Sequence, residues 1–259
     1  MSTAATSIAW TERTWNPVTG CSKVSPGCTH CYAEGIAERF RGTSSFPNGF
    51  DVTLKPERLE EPLRWRKPAM VFVNSMSDLF HDDVPFTFIR AIFATMGKAR
   101  QHTFQILTKR PERMQEFFQH PFTGPHLPAF KPLPNVWLGV SVENHRFLPR
   151  IKALRQVPAA VRFVSFEPLL DDLWPNLEGR LYGIDWAIIG GESGPGARPM
   201  SLEWVAEILQ SCRSTGTAPF VKQLGSVWAR RHGLRGKGED PDEWPEWLRV
   251  REWPEVPTP

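Results

Sequence analysis

The sequence TWNPVTGCSKVSPGCTHCYAE, residues 14–34, brings three of the chain's four cysteines within eleven residues of one another. Glycine and proline residues flank these cysteines, and both residue types favour a loop over regular structure. A loop that gathers three thiols, here Cys21, Cys28 and Cys31, is typical of a metal site. Thiolates are soft ligands that suit zinc or an iron–sulfur cluster. Structural zinc normally takes four protein ligands, so three thiolates leave one coordination position for something else.

The composition is that of an ordinary globular protein. The chain has 259 residues, 41% of them hydrophobic and 23% charged, which suffices for one large domain or two small ones. A net charge of +3 does not by itself argue for nucleic-acid binding, because local patches matter more than totals. Clustered cysteines fit a reduced compartment better than a disulfide scaffold. With neither a signal-peptide pattern nor an apolar run of membrane-spanning length, we expect a cytoplasmic protein with no membrane contact.

Short apolar runs alternate with helical patterns along most of the chain. Nearly continuous apolar strands alternating with helices indicate parallel strands buried on both faces. We therefore predict an α/β fold, a partial or complete β/α (TIM-like) barrel with the cysteine loop after the first strand; an open doubly wound sheet is the alternative. The predicted strands are 14–19, 70–75, 103–108, 135–142, 162–166, 185–191 and 219–224. The predicted helices are 32–41, 86–99, 111–120, 147–156 and 201–215.

The barrel is expected to occupy residues 1–225 as a single domain, with residues 226–259 as a C-terminal extension packed on it. The extension is polar, aromatic and proline-rich. Its tryptophans Trp244, Trp247 and Trp253 are expected to act as structural cover, although base stacking is a second interpretation.

Residues capable of chemistry follow the carboxyl ends of the predicted strands, where ligands bind in parallel α/β proteins. A helix cap or a solvated loop residue explains any single position equally well, but the coincidence over six strand ends favours a site. The residues are Asn74, Ser75, Asp78, Thr108, Lys109, Arg110, Ser141, Glu143, Asn144, Glu167, Gly190, Gly191, Glu192, Ser193, Lys222 and Gln223.

The glycine-rich segment IIGGESGPGARP divides into two parts. Adjacent glycines let a backbone approach a ligand closely, so we interpret Gly190, Gly191 and Glu192 as functional. Gly194 and Gly196 are expected to form a tight turn with positive φ. The spacing does not match the dinucleotide-binding fingerprint.

Other candidate ligands have simpler explanations. His30 lies between two of the cysteines, but adjacent side chains diverge, so an exposed loop histidine is the preferred interpretation. Cys212 falls in a predicted amphipathic helix, where it is expected to be a small buried residue. The run His81, Asp82 and Asp83 resembles a metal site, although an acid-rich loop more often caps the helix that follows.

Two resemblances rest on these residues. The segments WTERTWNPVTGCSKVSPGCTHCYAE, SMSDLFHDDVP, ILTKRPERM, LGVSVEN, FEPLL, IIGGESGPGARP and FVKQLG together resemble a phage-associated family of unknown function over nearly the whole chain. More distantly, three clustered cysteines after the first strand of a β/α barrel resemble the radical S-adenosylmethionine (SAM) superfamily. That resemblance implies a [4Fe–4S] cluster on Cys21, Cys28 and Cys31, SAM on the fourth iron, and reductive cleavage of SAM to a 5′-deoxyadenosyl radical.

The match to the radical SAM superfamily is incomplete. Its commonest spacing has three residues between the first two cysteines, whereas this chain has six. The pair Cys28 and Cys31 and the aromatic Tyr32 do match, and the superfamily places that aromatic residue near the adenine. Its glycine-rich amine-binding motif follows the second strand, where this chain has NSMSD instead.

The resemblance also implies roles for residues at the strand ends. By analogy, Ser75 and Asp78 would hold the amino group of SAM, and Ser141 and Glu143 its ribose or carboxylate. The full set of predicted cofactor-binding residues is Tyr32, Ser75, Asp78, Ser141, Glu143, Gly190 and Gly191. The predicted catalytic residues are Lys109, Glu192 and Lys222.

The substrate and partners are open at this point. Lys109, Arg110, Arg198 and Lys222 would suit an anionic substrate, of which a nucleic acid is one candidate. The same basic residues are equally expected to pair with the carboxylates Glu143, Glu167 and Glu192. A protein partner encoded in the same operon is expected, since phage-associated genes often work in operons.

A zinc-stabilised nucleic-acid-binding protein without radical chemistry is the alternative function. Its closed site would combine the three cysteines with His30 or Cys212. Such a site would make the fourth ligand indispensable and the polar strand-end residues dispensable, whereas a radical SAM enzyme requires the reverse.

Overall fold

The computed structural model describes residues 6–119, 132–173, 177 and 179–255. In chain order, the strands and α-helices are β1 (Arg13–Trp15), β2 (Val18–Thr19), α1 (Tyr32–Arg39), β3 (Thr53–Leu54), β4 (Met70–Val73), α2 (Phe86–Lys98), β5 (Thr103–Thr108), α3 (Pro111–Gln119), β6 (Val136–Ser141), α4 (Pro149–Leu154), β7 (Val161–Phe166), β8 (Trp186–Gly190), α5 (Leu202–Thr215), β9 (Ala218–Gln223) and α6 (Ser226–Arg231). Short 3-10 helices span Pro26–Cys28, Pro56–Arg58, Glu61–Arg64, His145–Phe147, Pro241–Glu243 and Glu246–Leu248.

The main sheet has seven strands in the order β1-β4-β5-β6-β7-β8-β9, and every neighbouring pair is parallel. This order follows the chain without a reversal, whereas a doubly wound sheet reverses its strand order. The predicted α/β barrel of parallel strands is therefore confirmed, and the doubly wound alternative is wrong. In the described part of the chain, β1 and β9 form the two edges of the sheet, so the barrel is partial.

Ring contacts across the inside of the sheet show that it is curled. Trp10, just before β1, lies 6.3 Å from Trp186 of β8 between ring centroids. In a flat sheet, strands five positions apart would be separated by about 24 Å. Aromatic side chains fill the curled interior near the amino ends of the strands, namely Trp10, Phe72, Trp137, Phe163, Trp186 and Phe220. Gly139 makes room for this layer, since a Cβ atom there would lie 2.5 Å from the Phe163 ring.

The first predicted strand, 14–19, is partly wrong. Strand β1 ends at Trp15, and after Pro17 the chain enters β2, which pairs antiparallel with β3 in a separate two-stranded sheet. Proline has no N–H to donate to a ladder, which favours a break in the strand at this position. The cysteine loop therefore leaves β2, beyond the first barrel strand.

The predicted helix at 147–156 is also divided. A 3-10 helix at His145–Phe147 precedes α4, and Pro149 occupies the first turn of α4, where its missing N–H costs nothing. The other predicted helices are present within one or two residues, and Ser201 caps α5 by accepting a hydrogen bond from the Glu203 N–H at 3.2 Å.

The chain after β9 covers the edge of the sheet. The N–H of Val221 donates to the carbonyl of Val250, and the N–H of Glu252 donates to that of Pro219, both at 2.8 Å. Trp244 is buried, and Trp253, although 44% exposed, stacks on Trp186 with centroids 4.9 Å apart, so both cover the core as predicted. Trp247 is 45% exposed. The domain division at residue 225 stays a prediction, and residues 1–5 and 256–259 lie outside the described part. None of the described helices is long and apolar enough to cross a membrane.

Candidate cofactor and substrate site

A cavity of about 360 Å³ opens at the carboxyl ends of the barrel strands. The three clustered cysteines line it from the loop between β2 and α1. Most of the other predicted site residues line the same cavity, namely Tyr32, Ser75, Asp78, Lys109, Ser141, Gly191, Glu192 and Lys222. Glu143 and Gly190 lie just behind the lining. The roles of all these residues stay predictions, but the structure does bring the residues together.

Arg110 fixes the start of the cysteine loop. Its buried guanidinium lies 3.5 Å from Cys21 Sγ and 3.2 Å from Asp78 Oδ2, and it donates to both the carbonyl and the hydroxyl oxygen of Ser22. Burial, followed by the Asp78 carboxylate, raises the pKa of the Cys21 thiol above its ordinary value, while Arg110 opposes that shift. A bound metal would supply the positive charge that favours the thiolate.

Asp78 holds the end of β5 in place. Its Oδ1 accepts hydrogen bonds from the Thr108 hydroxyl at 2.7 Å and the Phe80 N–H at 3.0 Å. Its Oδ2 accepts from the Lys109 N–H at 2.9 Å and from Arg110. Both carboxylate oxygens thus accept hydrogen bonds from the protein. Asp78 is held by Arg110 and by residues at the end of β5.

Tyr32 and Ser75 connect helix α1 to the end of β4. The Tyr32 hydroxyl donates to the Ser75 carbonyl at 2.6 Å, and the Ser75 hydroxyl donates to Asn16 Oδ1 at 3.2 Å. The Tyr32 ring, at 57% exposure, forms part of the cavity rim.

Glu143 lies beneath the middle of the cysteine loop and is fully buried. Its carboxylate accepts from the Ser25 hydroxyl at 2.5 Å and from Arg150 at 3.0 Å, and Lys109 Nζ lies 3.7 Å away. A Cβ atom on Gly27 would lie 2.5 Å from the Glu143 side chain. Only glycine therefore lets the loop rest on this carboxylate.

Glu192 and Arg198 hold the end of the cysteine loop. Glu192 accepts hydrogen bonds from the backbone and guanidinium of Arg198 and from His30 Nδ1 at 3.2 Å. Arg198 also donates to the Pro26 carbonyl at 2.9 Å. Burial alone would raise the pKa of Glu192, but the hydrogen bonds from Arg198 and His30 outweigh it and lower that pKa. Glu192 is thus an ionised anchor for the loop.

Glu167 and Lys222 form a further ion pair inside the cavity. Lys222 Nζ lies 2.7 and 2.8 Å from the two carboxylate oxygens, and Gln223 Nε2 donates to Oε1 at 2.9 Å. A Cβ atom on Gly190 would lie 3.1 Å from Glu167 Oε1, so this glycine leaves room for the carboxylate. Gly191 similarly lies against the backbone of Leu224. Close packing thus explains why neither position carries a side chain, and Gly191 in addition lines the cavity.

Comparison with known proteins places the chain in a family. Its sequence matches, over residues 5–257, a family described as a protein of unknown function (DUF5131). The chain belongs to this family.

No curated protein matches this DUF5131 chain. Among solved structures it is similar to spore photoproduct lyase complexed with dinucleoside spore photoproduct, at a TM-score of 0.47 and 12% identity. A double mutant of spore photoproduct lyase with bound AdoMet and dinucleoside spore photoproduct gives a TM-score of 0.45 and 13% identity. Each alignment covers 83% of this chain and 64% of the lyase chain, so the DUF5131 chain spans slightly less than two thirds of those proteins.

The residues of the DUF5131 chain fit a cluster better than a closed zinc site. Within the described ranges, no three His, Cys, Asp or Glu side chains are placed to hold one metal ion. Cys212 lies in the core outside the sheet, where burial raises its pKa to about 12, and His30 contacts Glu192. Neither predicted fourth ligand joins the cysteines. An iron–sulfur cluster distributes its thiolates over separate irons, which three thiols around one cavity can satisfy.

Several residues that hold the loop are not among those predicted from the sequence. Ser25, Gly27 and Arg150 become visible only once the loop is seen lying on Glu143. The prediction that His81 and its neighbours cap the next helix is wrong, since α2 follows Pro85 and has no side-chain cap. His81 instead lies 2.8 Å from the Ser22 hydroxyl of the cysteine loop.

Proposed function

We propose that this DUF5131 protein is an iron–sulfur enzyme of the radical SAM type. The observation that carries the proposal is the position of Cys21, Cys28 and Cys31 around one cavity at the carboxyl ends of a partial β/α barrel. Cys212, the remaining cysteine, does not line that cavity. Three thiolates on a four-iron cluster leave one iron free for an exchangeable ligand. The sequence resemblance supplies SAM as that ligand.

The three cysteines would hold the cluster, which when bound supplies the electron for reductive cleavage of SAM. The chain's own residues prepare the site by fixing the loop at three points. Arg110 contacts its start at Cys21 and Ser22, Glu143 and Arg198 contact its middle at Ser25 and Pro26, and Glu192 contacts His30 near its end. The aromatic layer, of which Trp10 and Phe72 also line the cavity, keeps bulk water out of the barrel interior.

For SAM we propose contacts with the residues that line the cavity beside the cysteines, namely Tyr32, Ser75, Ser141 and Gly191. Asp78 and Glu143 would serve the cofactor through the groups that they hold, since their oxygens already accept hydrogen bonds from the protein. Gly190 contributes by leaving space for a neighbouring carboxylate.

The predicted catalytic residues differ in what they can do. Lys222 faces the cavity and holds a proton next to Glu167, so it is the candidate to contact substrate. Lys109 also lines the cavity, near Glu143. Glu192 is engaged by Arg198, and we propose that it positions the loop.

Metal analysis of anaerobically purified protein tests the proposal. About four irons and four sulfides per chain are expected, with an EPR signal of the dithionite-reduced protein that changes when SAM is added. Cys28→Ala should abolish iron retention, whereas the matched control Cys212→Ala should keep it. Stoichiometric zinc without iron, even after anaerobic reconstitution, would overturn the proposal.

Three further expectations rest on the sequence resemblance or composition alone: phage association, a protein partner encoded in the same operon, and a cytoplasmic location. Affinity purification from the native host, followed by mass spectrometry of co-purified proteins, tests the partner. Recovery of the chain without any neighbouring gene product would count against it.

A further inference from the structure

Four carboxylates at four strand ends each pair with a basic side chain. These ion pairs follow β4, β6, β7 and β8 around the mouth of the barrel, and all four carboxylates are largely buried. The pairs are Asp78–Arg110, Glu143–Arg150, Glu167–Lys222 and Glu192–Arg198.

Three of the four pairs are explained by the cysteine loop. In the Asp78–Arg110 pair, Arg110 donates to Ser22, and in the Glu143–Arg150 pair, Glu143 accepts from Ser25. In the Glu192–Arg198 pair, Arg198 donates to Pro26 and Glu192 contacts His30. Each of these pairs therefore ties the loop to one strand end.

The Glu167–Lys222 pair has no such explanation. Neither side chain forms a hydrogen bond or ion pair with the cysteine loop in the part of the chain that the structure describes. Both line the cavity, with side-chain exposures of 17% and 14%. A largely buried ion pair is weak support for stability, because desolvation offsets its attraction. Its place inside the cavity instead fits a ligand.

We propose that the Glu167–Lys222 pair binds the hydrogen-bonding edge of a nucleobase. Lys222 offers N–H donors beside Glu167 Oε2, which within the described ranges accepts a hydrogen bond from Lys222 alone, and a base edge presents the complementary pair of acceptor and donor. Gln223 adds to the same site, because its Oε1 is buried without a hydrogen-bond partner among the described residues.

The rest of the cavity suits the remainder of a nucleotide. Trp10 and Phe72, although largely buried in the aromatic layer, contribute apolar surface to the cavity lining, which suits the apolar face of a base. Lys237, from the chain after β9, contributes a positive charge to the lining that suits a phosphate. A volume of about 360 Å³ lies within the range of small-molecule sites.

Two sources could supply such a base: a nucleotide substrate or the adenine of SAM. We assign the pair to the substrate, because neither of its side chains bonds to the cysteine loop in the described part of the chain, whereas the other three pairs hold the loop that would carry the cluster and its SAM. The assignment to a substrate rests on the proposed function, whereas base binding itself does not.

Calorimetric titration of the reconstituted protein with the five nucleoside 5′-monophosphates UMP, dTMP, CMP, GMP and AMP tests the inference, with and without saturating SAM. At least one nucleotide should bind in the presence of SAM. Glu167→Gln and Lys222→Met should each weaken that binding roughly tenfold to a hundredfold, the value of a hydrogen bond to a charged group. Lys152→Met, on the exposed side of α4, is the matched control and should leave binding unchanged.

A single substitution leaves one buried charge unpaired, so the double variant Glu167→Met, Lys222→Met provides a folded alternative that should also lose binding. Unchanged nucleotide affinity in this double variant, or no binding of any nucleotide by the wild type, would overturn the inference. So would binding confined to AMP and abolished by SAM, which identifies the SAM adenine. Iron and sulfide are measured on the same preparation. A cluster without nucleotide binding would overturn this inference and leave the proposed function intact. Nucleotide binding without a cluster would overturn the proposed function and leave base binding intact.

Discussion

At the scale of single residues, Gly27 sets how closely the cysteine loop approaches the barrel. A Cβ atom at this position would overlap the Glu143 carboxylate, which is fully buried and held by hydrogen bonds from Ser25 and Arg150. We expect Gly27→Ala to displace the loop, to reduce iron retention well below one cluster per chain, and to lower the free energy of unfolding by about 1–3 kcal/mol. Iron analysis after reconstitution and urea denaturation provide the measurements.

Gly35 in α1 is the matched control, because nothing lies within 4 Å of a Cβ atom added there. Gly35→Ala should keep its iron and stabilise the protein by roughly 0.5–1 kcal/mol, as alanine does within a helix. Equal iron content in the two variants would show that the contact with Glu143 does not position the loop.

His81 gives the protein a pH dependence near neutrality. The Asp83 N–H donates to His81 Nδ1 at 3.1 Å, so the ring is neutral and its Nε2–H donates to the Ser22 hydroxyl. Burial, with a smaller effect of Arg110, lowers the pKa of His81 below 6.5. Between pH 6.5 and the lowered pKa, His81 is protonated more in the unfolded chain than in the folded protein. The contribution of His81 to the free energy of unfolding is therefore complete above this pH window and is lost as the pH falls through it.

We therefore expect wild-type protein to lose more unfolding free energy than His81→Gln between about pH 7.5 and about pH 5.5. Urea denaturation at both pH values measures the difference. The comparison isolates His81, because His102, whose pKa burial also lowers, is present in both proteins. Parallel pH profiles would contradict the assignment.

At the scale of elements, the C-terminal segment 250–252 pairs with β9 and so secures Lys222. Arg251 donates to the carbonyls of Val221 and Lys222, and to that of Glu239, while its guanidinium packs over Trp244. We expect Arg251→Ala to lower the free energy of unfolding by about 2 kcal/mol through the loss of these charged hydrogen bonds. Hydrogen exchange at the Val221 amide should accelerate as well.

The exposed Arg231, at the end of α6, provides the control for this element. Arg231→Ala should change the free energy of unfolding by less than about 0.5 kcal/mol. If Arg251→Ala has the same free energy of unfolding as this control and the same rate of hydrogen exchange at the Val221 amide, the C-terminal segment does not hold the β9 edge.

The same scale shows what the sequence could predict. Strands such as β5, predicted at 103–108, were located because parallel strands buried on both faces are continuous apolar runs. The break after Trp15 was missed, because one apolar, β-branched run covers both β1 and β2 and their different partners lie far along the chain. The local residue pattern therefore predicts that a strand forms, whereas contacts with distant residues decide which sheet the strand joins.

At the scale of the whole molecule, the candidate site was only half predictable. The cysteines are a local motif, and the strand-end rule brought most polar lining residues to one cavity. The residues that hold the loop were missed because their contacts join distant positions, 118 residues apart for Ser25 and Glu143 and 172 for Pro26 and Arg198. Several of the cations expected at the mouth pair with buried carboxylates, an arrangement that sequence alone left as one of two alternatives.

These distant contacts predict how the whole molecule responds to loss of its metal. The loop is tied to three strand ends by protein groups alone, and its own backbone hydrogen bonds include Cys28 N–H to Ser25 O and Cys21 N–H to Phe50 O. A small zinc-dependent domain unfolds when its metal is removed, because the metal supplies its folding free energy. Here the core is independent of the site, so chelator-treated protein should keep its far-UV circular dichroism and unfold cooperatively, with only a lower Tm. A chain that unfolds on metal removal, and regains structure with zinc alone, would mean that metal rather than the three ion pairs holds the loop and would restore the zinc-stabilised alternative.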